Sequence, residues 1–97
     1  MVRAKFYVTE IKRMNSSVPK IVDGKEVWGT GEVQTIVLRP VCGSNEENKK
    51  FWRASPSGQI ELGCANLEAA KFFELNEEYF IDFKTSEEIA GENKEVV

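Results

Sequence analysis

Histidine is missing from this 97-residue sequence. Its absence removes the usual general base near neutral pH, the common zinc ligand, and the Ser-His and Cys-His nucleophile pairs. Cysteine is scarce: Cys42 and Cys64 stand 22 positions apart with no Cys-x-x-Cys. In a reducing compartment that pattern is expected as two buried thiols, not as a bridge. No apolar run approaches the roughly 18 residues a spanning helix needs. The opening Met-Val-Arg-Ala-Lys-Phe lacks the long apolar segment of a secretory signal, so a cytoplasmic chain is expected, with no membrane association. Gly29-Thr30-Gly31 is followed by neither Gly-Lys-Ser/Thr nor a helix start, which excludes a phosphate-cradling loop and leaves a bend before a strand. No catalytic group, metal ligand or cofactor motif converges anywhere. The chain is expected not to be an enzyme.

What is present is β-favouring sequence and uneven charge. Residues 1–60 carry a balance of +4 and residues 61–97 one of −7. An overall basic polyanion binder is therefore disfavoured, while a local basic patch, or an acidic face for a basic partner, stays open. Ala4 to Met14 reads as a first strand whose apolar phase slips between Val8 and Ile11, the mark of a bulge near Thr9-Glu10. Asn15 to Pro19 breaks that strand. Residues 19–29 form a protruding hairpin around Asp23-Gly24, which suits a type I′ turn. Glu32 to Val41 is apolar on both faces and reads as a central strand.

The stretch from Asn48 to Ala65 reads as two arms, Lys50–Ser55 and Gln59–Ala65, joined at Pro56-Ser57-Gly58. Asn66 suits the N-cap of a short helix running to about Phe73, and Asn76 suits a left-handed cap. Phe72 falls on that helix's flank. Glu78 to Thr85 alternates as the last strand, with Phe80 breaking its polar face. Residues 86–97 are acidic and read as a disordered tail. The expected architecture is mainly β: residues 1–85 as a small five-stranded OB-like or SH3-like barrel, with one short helix before the last strand.

The run Glu47-Asn48-Lys49-Lys50-Phe51-Trp52-Arg53-Ala54-Ser55-Pro56-Ser57-Gly58 carries a resemblance, together with Asn66, Ala69-Ala70, Phe73-Glu74-Leu75 and Glu78-Tyr79-Phe80-Ile81-Asp82-Phe83. This pattern resembles small proteins of tailed bacteriophages, over roughly Val33 to Phe83. Asn76, Ser55 and Phe80 depart mildly from the pattern, standing where glycine, threonine and tyrosine are usual. The resemblance implies a phage protein in a bacterial cytoplasm and carries no active-site residues with it.

Two functions follow as expectations. One is a binding protein that engages a host or phage protein, in defence or replication interference or in assembly, through a barrel face. The acidic residues Glu61, Glu68, Glu74, Glu77, Glu78 and Asp82 suit a basic partner, and an unclosed barrel edge would let copies self-associate as a homo-oligomer. The other is binding of single-stranded nucleic acid or a nucleotide. There, Trp52, Tyr7 and Trp28 would stack bases while Lys5, Arg39, Lys49, Lys50 and Arg53 meet phosphates.

Overall fold

The computed structural model describes residues 1–43 and 45–93. Two long strands dominate it: β1 (Val2–Val22) and β2 (Lys25–Pro40) form one antiparallel hairpin paired along its whole length. The turn is Asp23-Gly24, both at positive φ (50° and 76°), as a type I′ turn requires. After β2 come α1 (Glu46–Trp52), β3 (Ile60–Cys64), α2 (Leu67–Ala70), β4 (Glu78–Phe83) and α3 (Ser86–Asn93). The sheet is open and four-stranded, in the order β3-β2-β1-β4.

The phase slip read in the sequence is a register shift. Val8 faces Leu38 but Glu10 faces Val37, so Thr9 is the extra residue, and its hydroxyl donates to the Val37 carbonyl at 3.3 Å. This slip returns Ile11 to the face of Phe6 and Val8, opposite Ile36. The core lies on that face: Ala4, Phe6, Val8, Ile36, Leu38 and Ala70, flanked by Ile60, Cys64, Phe73, Tyr79 and Ile81.

The five-stranded closed barrel is overturned, although the mainly β class holds. One reason is local. Lys50 to Ser55, expected as a strand, instead supplies the end of α1 and the turn after it. Asn45 accepts the Asn48 amide at 2.9 Å as N-cap, Glu46 and Glu47 sit at the positive end of the helix, and Lys49 and Lys50 sit at the negative end. Arg53 closes the helix in the left-handed conformation (φ 63°), its amide donating to the Lys49 carbonyl at 2.9 Å. The other reason is length. The two edge strands span five and six residues and do not hydrogen-bond each other, so nothing seals the sheet.

The hairpin expected over residues 19–29 is much longer, because Asn15 to Pro19 continues β1 and Gly29 to Gly31 continues β2 without a bend. An ideal Cβ at Gly31 would lie 2.4 Å from Val18 Cγ2, so glycine is what lets the two strands approach there. β3 reaches only Gln34 to Leu38 and β4 only Val2 to Tyr7. Beyond these limits the hairpin projects as a two-stranded ribbon. Asn66 caps α2 as expected, accepting the Ala69 amide at 3.3 Å, but α2 ends at Ala70 and not near Phe73, with Lys71 as its right-handed C-cap. Asn76 does adopt φ 69°, in a turn beyond the helix and not as its cap. Residues 86–93, read as disordered tail, form α3; the remainder of that tail lies outside the described residues. Both cysteines are free, and Cys42 is exposed where burial was expected.

Candidate functional site

The aromatic and basic residues singled out from the sequence do not gather on one face. Trp52 faces the sheet from α1, four residues after Asn48, which places both side chains on the same side of the helix. Its ring lies 5.9 Å from Phe6 and 4.4 Å from Phe51, and its indole N–H donates to the Ser57 carbonyl at 2.9 Å. Half-buried and held on several sides, Trp52 is a packing residue before it is a stacking platform. Trp28 stands at the other extreme, 66% exposed near the ribbon tip and paired across the strands with Pro19.

Tyr7 and Arg39 are brought together as cross-strand partners, beside a shallow hollow shared with Pro40, Cys42, Pro56, Ser57 and Gly58. Lys5 is engaged elsewhere: its ammonium lies 3.1 Å from Glu78 and 5.2 Å from the centre of the Phe80 ring. Lys49, Lys50 and Arg53 stay exposed along α1 and its cap. The expected set therefore splits into a Tyr7–Arg39 pair, a helix surface and a remote tryptophan.

One buried polar residue ties α1 to the sheet. Asn48 accepts the Lys5 amide through its side-chain oxygen at 2.6 Å and donates to the Lys5 and Val41 carbonyls at 2.8 and 2.9 Å. It is 1% exposed, and every buried polar side-chain atom among the described residues has a partner. β2 ends at Pro40; the Val41 amide still donates to the Lys5 carbonyl at 3.0 Å, and the Asn48 carboxamide supplies the partner of the Lys5 amide.

A groove that the sequence does not announce opens on the core face of the sheet. Its volume is about 620 Å³ and its lining is predominantly apolar. Leu38 contributes from β2, Ile60 and Leu62 from β3, Phe72 and Phe73 from the turn that follows α2, and Glu78 to Asp82 from β4. β3 and β4 are the opposite edges of the sheet, so the sheet curls far enough for both to line one groove while staying unpaired. Tyr79 fixes the wall above: its hydroxyl donates to the Phe72 carbonyl at 2.9 Å and accepts the Glu74 amide at 2.8 Å. This leaves Phe72 69% exposed, an apolar ring held in the open. The signals in the sequence were Phe72 and Phe80, the two aromatics that fell out of phase with their elements.

The chain segment around the groove is acidic, but its lining carboxylates Glu78 and Asp82 are paired with Lys5 and Arg3 of β1. From Ile60 to Phe83 the chain carries Glu61, Glu68, Glu74, Glu77, Glu78 and Asp82 against Lys71 alone. Asp82 is held by the Arg3 guanidinium at 2.6 and 3.0 Å, a bond that pulls its carboxyl below the ordinary aspartate range. Lys71 is paired with Glu68 at 3.0 Å.

The ribbon is mixed in charge, Lys20 and Lys25 standing against Asp23, Glu26 and Glu32. Beyond β3 its back face carries Met14, Val18, Lys20 and Val22 from β1, with Lys25, Val27 and Val33 from β2, while Glu26 and Glu32 lie on the front. At the tip both faces carry apolar side chains, Pro19, Ile21 and Trp28 lying on the front beside Glu26. Among the described residues no group of His, Cys, Asp and Glu is arranged to hold a metal ion, and no helix is long and apolar enough to cross a membrane. Against family models, curated proteins and solved structures, the chain finds no match.

Proposed function

We propose that this chain is a non-enzymatic protein-binding subunit of a bacterial cytoplasm, its partner a host or phage protein. The groove takes an extended segment of that partner, one that alternates apolar and basic residues. The observation that carries this reading is the groove itself: an apolar trough beside a strand edge with no neighbour. An added strand would place alternate side chains in the trough and its main chain on the β4 edge. The acidic surroundings select lysine or arginine at the outward positions and disfavour an acidic segment.

The test uses two synthetic peptides, one alternating valine with lysine and one alternating valine with glutamate. The first should shift the backbone resonances of β3 and β4, the second should not, and Phe72→Asp should abolish the response. Equal response to both peptides, or to neither, sinks the proposal. The nucleic-acid reading retains one supporting observation, the pairing of Tyr7 with Arg39 beside the hollow at Pro56 to Gly58. A single-stranded oligonucleotide that shifts Tyr7 and Arg39, and leaves β3 and β4 unmoved, would favour it instead.

A further inference from the structure

We propose that the segment filling the groove is the ribbon tip of a second copy, so that two chains form a symmetric dimer by exchanging arms. This rests on the groove reading above and names its occupant.

The first argument is size. The chain exposes 7383 Å², whereas a compact monomer of its 11.0 kDa mass would expose roughly 5,600 Å². Its radius of gyration is 17.4 Å, against roughly 12.5 Å for a compact domain of this length. The excess surface, about 1,800 Å² per chain, is on the scale of a substantial interface, which typically buries roughly 1,600 Å² over both partners. A transient contact does not need so much; a permanent one does.

The second argument is the tip. A two-stranded ribbon standing in water is marginal on its own and ordinarily keeps a polar face. Here Ile21 and Trp28 on one face and Val22 and Val27 on the other are all exposed. Apolar residues on both faces of a strand pair mark a segment covered on both sides.

The third argument is charge. Lys20 and Lys25 flank Val22 and Val27 on the ribbon's back face, while the groove is built from the most acidic part of the same chain. Each copy thus carries one apolar projection whose lysines lie on its back face, with Glu26 on the front, and one apolar recess in an acidic stretch of chain. A two-fold axis satisfies both at once and closes the assembly at two chains.

Sedimentation of the full chain at micromolar concentration should give twice the 11.0 kDa chain mass. A tip variant, Val27→Asp with Trp28→Asp, and a groove variant, Phe72→Asp, each replace exposed side chains, so each should keep the circular dichroism of the parent. Either should raise the dimer dissociation constant roughly 30-fold or more. Mixing the two should restore association that neither shows alone, because one tip and one groove remain intact in the mixed pair. A monomeric parent overturns the proposal. So does a dimer that ignores both variants, or a mixture that does not associate. The valine–lysine peptide titrated into the tip variant separates the two ideas. Binding there without a parent dimer removes only arm exchange, whereas no binding there removes the groove reading as well.

Discussion

The two halves of the β1–β2 hairpin share strands, register and turn, yet live in different surroundings. The proximal half has β3 on one side and β4 on the other, with Val8, Ile36 and Leu38 sealed beneath helices and edge strands. The distal half has neither neighbour, and its apolar side chains apart from Val18 and the half-buried Val33 stand exposed. Strand pairing therefore propagates along the hairpin as a local event, while burial stops where the flanking strands stop. Valine and isoleucine appear in both halves, so residue type alone does not separate a core strand from an arm. What separates them is whether another part of the chain arrives to cover them.

The strongest way to break this contrast is at the proximal end. Asn48→Ala removes three hydrogen bonds and leaves the Lys5 amide buried without a partner, an expected loss of about 2–4 kcal/mol in denaturant unfolding. The distal half answers to Gly31→Ala, whose new Cβ collides with Val18. Overpacking of this kind costs about 1–3 kcal/mol, and here it should stay local. Amide exchange should quicken from Ser16 to Gly31 while Val8 and Leu38 keep their protection. Val18→Ala in the same chain should recover most of the loss.

Tyr79→Phe should cost about 1 kcal/mol by freeing the Phe72 carbonyl and Glu74 amide, and should loosen the groove wall without touching the ribbon. The smallest effect concerns acid. The Arg3 hydrogen bond lowers the Asp82 pKa in the folded chain, so its stabilisation is present above the unfolded aspartate value and lost as pH falls through the folded one. Asp82→Asn should flatten that part of the acid-side decline in melting temperature. The difference should be slight and should shrink further with salt, because the pair is exposed.

Local chemistry was readable in the residues. The bulge at Thr9, the Asp23-Gly24 turn and the Asn66 cap each depend on a few neighbouring positions. The helix α1 was not read, because Phe51-Trp52 beside lysines fits a strand arm as well as a helix end. The decision fell to Asn45 and Arg53 as caps and to Asn48 reaching Lys5 across the fold. Closure was misread for a related reason. Whether β3 meets β4 depends on curl and edge length summed over the whole sheet, which no single segment reports. The candidate site shared that fate: its walls come from residues 38, 60–62, 72–73 and 78–82, and only the misplaced aromatics Phe72 and Phe80 hinted at it.

Asn48 has one more consequence. Main-chain rungs between strands survive nearly any codon change, since every residue but proline supplies the same donor and acceptor. At Lys5 the rung to its amide is supplied by a carboxamide, so a single base substitution can cut the tie between helix and sheet. Heredity therefore has a handle on the stiffness of this domain that an ordinary ladder would not give it.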